Sequence, residues 1–148
     1  MTGLMRMLLL VVGLGAAMLP AAADEAQVDA AIDAGRGSAG SFRTAFAVLQ
    51  EAVSRADAPT IASLANYPLP VTVDGRRSVL RGEAEFVSRY ETVMTEALAR
   101  IILDQDYGQL RLDGEIVVFG ADALRMRPYC TDRSCAASYW LITAIRTE

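Results

Sequence analysis

The sequence predicts a single α+β domain in which three N-terminal helices pack on a curved antiparallel sheet. Apolar residues recur at helical spacing between positions 41 and 103, whereas after Asp104 they alternate as they do in strands. Asp-Gly pairs, which tight turns between antiparallel strands prefer, interrupt the strand-like stretches at 74–75 and 113–114. A group of helices followed by a group of strands is typical of α+β domains.

Three helices are expected within residues 41–103. The first begins at Ser41, a residue type suited to capping a helix N-terminus, and a short second helix starts around Pro59. The third spans residues 82–103. Its inward stripe is Phe86, Tyr90, Val93, Met94, Ala97 and Ile101, and its expected i,i+4 ion pairs are Glu85 with Arg89 and Glu96 with Arg100.

The strands fall into three pairs. Residues 71–80 form a hairpin around Asp74-Gly75, and residues 109–112 pair with 115–119. Residues 123–129 pair with 137–146 across a polar loop. The whole domain therefore covers residues 41–148, after an Ala-, Gly- and Asp-rich stretch at 24–40 that we expect to be a mobile lead-in with at most one weak helical turn.

The first 23 residues have the three parts of a secretory signal peptide. Arg6 supplies the positive charge, residues 7–19 are an apolar run too short for a stable membrane anchor, and residues 21–23 form a small-residue cleavage site. The alternative is an uncleaved signal anchor. We expect cleavage before Asp24 and a periplasmic or secreted product without membrane attachment.

Two cysteines lie outside the signal segment. Cys130 and Cys135 flank a polar loop, and in an oxidising compartment this spacing predicts one disulfide across a hairpin tip. A redox site or a metal-binding pair is the alternative. The first typically has C-x-x-C spacing at a helix start, and the second needs further ligands.

Composition excludes several functional classes. The chain of 148 residues has a formal net charge of −4, its fourteen basic residues are all arginine, and it has no histidine. The acidic balance argues against nucleic acid and anionic membranes as partners, because both need a basic face. The absence of histidine excludes Ser-His-Asp and Cys-His catalysis and histidine-based zinc sites. We expect neither a metal nor a cofactor.

The order helix, helix, hairpin, long helix and strands is similar to the cone-shaped α+β fold of the nuclear transport factor 2-like superfamily. Tyr67-Pro68-Leu69, and the stretch from Gly82 through Phe86 to Tyr90, also resemble small exported bacterial proteins with that fold. The superfamily includes ketosteroid isomerases, scytalone dehydratase and polyketide cyclases. The resemblance implies a cavity within the cone, but no catalytic residue is transferred, because function does not follow from a fold of this kind.

Three polar features have both a functional and a structural interpretation. Asp122, after Gly120-Ala121, either faces a cavity or lies at the surface of a bend. Asp104 and Asp106 either bind calcium or form a solvated turn. The arginines around the first hairpin either meet an acidic partner or form a solvated face; they are Arg76, Arg77 and Arg81.

Four aromatic residues are the main pocket candidates. If the sheet is concave, we expect Tyr90 to face Tyr139 or Trp140, and these side chains to line one pocket with Tyr67 and Asp122. The alternative is that the aromatic residues simply fill the core.

The pattern favours a non-catalytic binding or interaction domain whose apolar pocket takes a small, flat ligand, with a homodimer formed through the sheet. One alternative is an isomerase- or cyclase-type enzyme that uses an Asp/Tyr pair in the pocket. Another is a domain that binds a protein partner, as an inhibitor or immunity factor does.

Overall fold

The structure, a computed structural model, describes residues 21–135 and 137–147. Within that part of the chain the helices are α1 (Ala21–Asp33), α2 (Ala39–Ser54), α3 (Ala58–Ser63), α4 (Glu83–Ser88), α5 (Tyr90–Val93) and α6 (Glu96–Asp104). The strands are β1 (Leu69–Val73), β2 (Arg76–Leu80), β3 (Arg111–Asp113), β4 (Ile116–Phe119), β5 (Leu124–Cys130) and β6 (Ser138–Thr147). The predicted α+β class is confirmed.

One six-stranded sheet has the order β2-β1-β6-β5-β4-β3. Most neighbours are antiparallel, but β1 and β6 are parallel, with Val71 beside Ile145. The prediction of a wholly antiparallel sheet is therefore wrong, and the sheet is mixed. The reason is long-range, since the chain leaves the first hairpin, passes through the helices and the other strands, and returns beside β1 in the same direction.

In both tight hairpins, residues that tolerate a positive φ occupy the turn. At the first turn Asp74 and Gly75 both have positive φ, 49° and 72°, as the predicted primed two-residue turn requires. In the second hairpin Asp113 pairs with Ile116, so the turn residues are Gly114 and Glu115. Gly114, with φ 62°, takes the left-handed position, and the turn lies one residue later than Asp113-Gly114.

The segment at 24–40 has more structure than expected. Where at most one helical turn was predicted, α1 is a helix of 13 residues that buries Val28 and Ile32 in the core. Ser38, and not Ser41, caps α2, because the Ser38 hydroxyl oxygen accepts a hydrogen bond from the Ser41 N–H. Residues 1–20, most of the predicted signal peptide, lie outside the described residues.

The predicted helix at 82–103 is divided into α4, α5 and α6. Thr95 has an extended backbone, with φ −61° and ψ 157°, and its hydroxyl accepts a hydrogen bond from the Leu98 N–H at 3.2 Å. This new N-cap restarts the helical phase, so Leu98 and Ile102 are buried while Ala97 is exposed. Both predicted ion pairs form, Glu85 with Arg89 and Glu96 with Arg100.

The core lies between the helices and one face of the sheet. Its centre is a group of aromatic rings in mutual contact: Phe42, Phe46, Tyr107, Phe119 and Trp140. The predicted disulfide between Cys130 and Cys135 is present and joins β5 to the loop before β6. Among the described residues, no helix combines the length and the apolar character needed to cross a membrane.

Candidate functional site

The sheet face opposite the core, which we call the open face, is rich in arginine. Cross-strand pairing places Thr72 beside both Arg77 and Arg146, and Val118 beside both Arg111 and Arg125. Paired residues share a face, so these four arginines lie on the open face. The face also carries Val79, which is 52% exposed.

A β-bulge in β6 determines which residues of that strand face outwards. Arg125 pairs with Ala144, but the next residue, Met126, pairs with Ile142, so Thr143 is the extra residue. Before the bulge Ile142 is buried, and after it Ile145 is buried, so the alternation changes phase. The bulge thereby turns Ala144 and Arg146 towards the open face.

The turn between β4 and β5 holds the central carboxylate, that of Asp122. Gly120 begins the turn with φ 57°, and its N–H donates to the Gln105 side-chain oxygen at 3.0 Å. The turn ends where the Arg146 N–H donates to the Ala123 carbonyl at 2.8 Å. Asp122 itself has φ 97°, which a non-glycine residue rarely adopts, so the surrounding contacts hold it in a strained backbone conformation.

Asp122 joins two arginines. Its Oδ1 accepts from Arg125 Nε at 2.5 Å, and its Oδ2 accepts from Arg146 Nη1 at 2.9 Å. The hydrogen bond from Arg125 is the main reason that the pKa of Asp122 lies below its usual range; the charges of Arg125, Arg146 and Arg111 lower it further, and partial burial opposes the shift. Asp113 lies 3.4 Å from Arg125 and contributes a second carboxylate.

Two cavities meet at this ion network. The larger one, which we call the outer groove, has a volume of about 400 Å³ and lies on the open face. Pro70, Val79 and Ala144 supply apolar wall, and Arg77, Arg125 and Arg146 supply positive charge. The smaller one, the inner cavity, has about 260 Å³ and lies against α6. Asp122 and Arg146 line both.

Of the five pocket candidates from the sequence, Asp122 is the one that lines either cavity. Tyr67 lies elsewhere: its hydroxyl donates to the Ala62 carbonyl at 2.9 Å, and burial and the charge of Glu83 raise its pKa to about 12. Tyr90 is half-buried against Phe86, and burial raises its pKa. The structure gives neither tyrosine a ring contact with Trp140.

Tyr139 and Trp140 face opposite sides of the sheet. Trp140 is 3% exposed and packs against Phe42, with ring centroids 4.8 Å apart. A β-carbon at Gly37 would overlap the Trp140 ring, so backbone covers the indole closely. Tyr139 is 47% exposed and stacks on Tyr129 across the strands. The four aromatic candidates are therefore not gathered around one pocket.

The remaining polar candidates are the two aspartates beside Gln105 and the arginines of the first hairpin. Asp104 and Asp106 flank Gln105 at the end of α6, and the described residues contain no group of three carboxylates or cysteines placed to hold a metal ion. Of the hairpin arginines, Arg77 lines the outer groove while Arg76 lies on the other face of β2. Reasoning from sequence did not single out Arg125 and Arg146, although the shift in apolar spacing from Ile142 to Ile145 is a visible signal of the bulge that exposes Arg146.

Comparison of the chain with protein-family models, with curated proteins and with solved structures finds no match in any of the three.

Proposed function

We propose that this protein is a non-catalytic binding domain that holds a small amphipathic anion, such as a medium-chain carboxylic acid, in the outer groove. The observation that carries the proposal is the meeting of three arginines with apolar wall around one concave space on the open face. A volume of about 400 Å³ lies within the range of small-molecule sites. Guanidinium groups bind carboxylates through charge-assisted hydrogen bonds.

The charge balance of the groove supports an anionic ligand. Arg77, Arg125 and Arg146 line it, against one carboxylate in its wall, that of Asp122, and a second, that of Asp113, which lies 3.4 Å from Arg125. Asp122 is already bonded to two of these arginines, and Arg77 makes no ion pair within the described part of the chain. The local excess of positive charge stands out in a chain with net charge −4 and attracts anions to this face.

The same charges argue against two of the alternative functions, an enzyme and a homodimer formed through the open face. A lowered pKa makes Asp122 a weaker proton acceptor, which does not favour an enzyme that uses it as a base. A homodimer formed through the open face would bring arginines from two copies together, so charge repulsion does not favour it either. A protein partner with an acidic surface remains compatible with the groove and would compete with the small anion.

Export to an oxidising compartment, after removal of residues 1–23, is part of the proposal, and the disulfide supports it. Membership of the nuclear transport factor 2-like superfamily, with its cone-like shape, is likewise proposed. The order of helices, hairpin and strands supports it.

Binding of decanoate, measured by calorimetry below its micelle concentration, tests the proposed function. We expect saturable binding that weakens as ionic strength rises, and no binding of decyltrimethylammonium, which has a similar chain and the opposite charge. Arg77→Gln should weaken decanoate binding by about threefold to tenfold, because one charge-assisted contact is lost in a partly solvated site. Arg76→Gln is the matched control, since it removes the same charge from the other face of β2, and it should leave the affinity within about twofold.

Equal binding of the anion and the cation would contradict the proposal, because hydrophobic contact alone would then explain it. Equal effects of Arg77→Gln and Arg76→Gln would contradict the placement in the outer groove. If an acidic peptide such as hexaglutamate binds through Arg77 while decanoate does not, the protein-partner alternative replaces the small-ligand proposal.

A further inference from the structure

Strand β2 forms one edge of the sheet, and in the described part of the chain β1 is its only strand neighbour. The described helices leave this edge open, since Arg76, Arg77 and Val79 are all exposed. Arg89 reaches the Ser78 hydroxyl at 3.3 Å, but Ser78 faces the core side of the sheet, away from Arg77. An uncovered edge strand presents backbone N–H and C=O groups to any strand that approaches it.

The hydrogen bonds of β1 show which residues of β2 point outwards. In an antiparallel pair, alternate residues bond to the neighbouring strand and the others point away from it. The Asp74 N–H donates to the Thr147 carbonyl of β6 at 3.1 Å, so the backbone groups of Asp74 and of Thr72 point away from β2. Arg77 pairs with Thr72, so its N–H and C=O point away from β1, as do those of Val79 two residues later.

The position of Pro70 agrees with this alternation. Pro70 lies opposite Val79, and the first residue of β1 that is in register with β6 is Val71, so neither neighbouring strand requires an N–H at Pro70. The outward groups of Arg77 and Val79 are about 7 Å apart, which is two residues along a strand. A partner strand repeats its own backbone groups at the same distance and can bond to both positions.

The charges at this edge favour one kind of partner. Arg76, Arg77 and Arg81 make no ion pair in the part of the chain that the structure describes. Arg76 and Arg77 are consecutive, so they extend to opposite faces of the strand and flank the free edge. Two copies joined through β2 would gather these arginines from both chains in one ladder, and charge repulsion disfavours that arrangement. Acidic residues in a partner would instead neutralise them.

We propose that the free edge of β2 binds an extended acidic segment of a partner protein, which adds to the six-stranded sheet as a further strand. The segment has two consecutive acidic residues, one opposite Arg76 and one opposite Arg77, because neighbouring residues of a strand face opposite sides. A β-branched residue lies opposite Val79, which is 52% exposed. This binding uses the edge of the sheet and not the outer groove, so it goes beyond the proposed function.

Amide hydrogen exchange followed by NMR tests the strand pairing on the unmodified protein. The probe is the peptide acetyl-Thr-Val-Thr-Glu-Glu-Thr-amide, whose glutamates face Arg77 and Arg76 in an antiparallel pairing. At saturating peptide we expect exchange of the Arg77 and Val79 N–H groups to slow by about fivefold or more, because both become hydrogen-bonded. The Ser78 N–H, which already points to β1, should exchange slowly with and without the peptide.

Two variants of Val79 test the backbone contact. Val79→Pro removes an N–H that points outwards and so leaves the pairing with β1 intact, as proline does in edge strands. It should weaken peptide binding by at least about tenfold, because one hydrogen bond is lost and the ring obstructs the partner strand. Val79→Thr keeps the N–H and should bind within about twofold of the wild type. If Val79→Pro does not fold, hydrogen exchange of the wild type decides.

Two variants of arginine test the charge contact. Arg76→Gln should weaken peptide binding by about twofold to fivefold, the usual range for an exposed ion pair. Arg111→Gln is the matched control, because it removes the same charge from β3 at the other edge of the sheet, and it should leave the peptide affinity unchanged. Equal effects of the two substitutions would contradict the assignment to β2.

The other outcomes are equally decisive. The proposal is overturned if the glutamate peptide does not bind, if a peptide with lysines in place of the glutamates binds as tightly, or if binding leaves exchange at Arg77 and Val79 unchanged. A dimer of the free protein in which these two amides are already protected would also overturn it, because a second copy would then occupy the edge. Failure of decanoate to bind would contradict the proposed function and leave this proposal standing.

Discussion

Asp29 and Asp122 each bind arginine, and in both cases the hydrogen bond from that arginine lowers the pKa of the aspartate. Their surroundings differ. Asp29, on α1, accepts from Arg43 of α2 at 2.8 Å and from the Tyr107 hydroxyl at 2.7 Å. The Arg43 guanidinium lies 4.1 Å from the centre of the Tyr107 ring, so the three side chains form one bonded cluster beside the aromatic core.

Asp122, whose side chain is less exposed than that of Asp29 (21% against 30%), lies beside two cavities that no aromatic residue lines. Its two arginines line open space, on the sheet face that no aromatic core occupies. An aspartate–arginine pair is therefore not in itself a sign of function. The Asp29 cluster fastens α1 to α2, whereas the Asp122 cluster adjoins two cavities, and the difference lies in what the charges face.

The largest loss of stability should come from a substitution in the aromatic core beneath the Asp29 cluster. Trp140→Ala should lower the free energy of unfolding by about 3–5 kcal/mol, because it removes a buried ring that packs on Phe42. Tyr139→Ala, the neighbouring change on the open face, should cost about 1 kcal/mol or less, because it loses only a half-exposed cross-strand stack with Tyr129. Urea unfolding of both variants measures the two losses in the free energy of unfolding. Similar losses would contradict the assignment of the two residues to different faces.

Breaking the Asp29 cluster should lower the free energy of unfolding by an intermediate amount. Asp29→Ala leaves the buried Tyr107 hydroxyl without its acceptor, and we expect a loss of about 1–2 kcal/mol. The loss should depend on pH. Because the pKa of Asp29 is lowered on folding, its contribution is complete above the ordinary aspartate pKa of 3.8 and disappears as the pH falls through the folded-state value. Unfolding curves of the wild type and the variant should thus converge in acid, and a constant difference down to low pH would argue against this role.

The smallest change in stability should come from Asp122→Asn. Its arginine partners reach solvent and asparagine tolerates a positive φ, so we expect a cost below about 1 kcal/mol. Affinity for decanoate should rise by about threefold, because the substitution removes the carboxylate that competes for Arg125 and Arg146. Calorimetry measures the affinity and thermal unfolding the stability. Weaker decanoate binding would mean that Asp122 helps to bind the ligand, contrary to the proposed function.

The sequence predicted features that depend on neighbouring residues. Asp74-Gly75 specifies its turn by backbone preference, and the Cys130–Cys135 bridge follows from spacing. Thr95 was missed because it lies within a continuous helical pattern, and its extended backbone and capping hydrogen bond are visible only in the structure. The parallel pairing of β1 with β6 depends on contacts far apart in sequence, which no local pattern encodes.

Five residues were predicted from the sequence to line the pocket, and one of them, Asp122, lies in the candidate site. Tyr139 and Trp140 are adjacent in sequence, and alternation alone places them on opposite faces of β6, which the expectation of a shared pocket overlooked. Arg125 and Arg146 were not singled out, because their approach to Asp122 depends on the β4–β5 turn and on the bulge at Thr143. Both are features of the assembled sheet.

Titration of isotopically labelled protein with decanoate, followed by two-dimensional amide NMR, shows where on the protein the ligand binds. If the outer groove is the binding site, the amide signals of Thr72, Ala144 and Arg146 should shift together and saturate with one affinity, while those around Asp29 and Tyr107 stay in place. Shifts confined to the Asp29 cluster, or spread evenly over the chain, would contradict the assignment of the binding site to the open face.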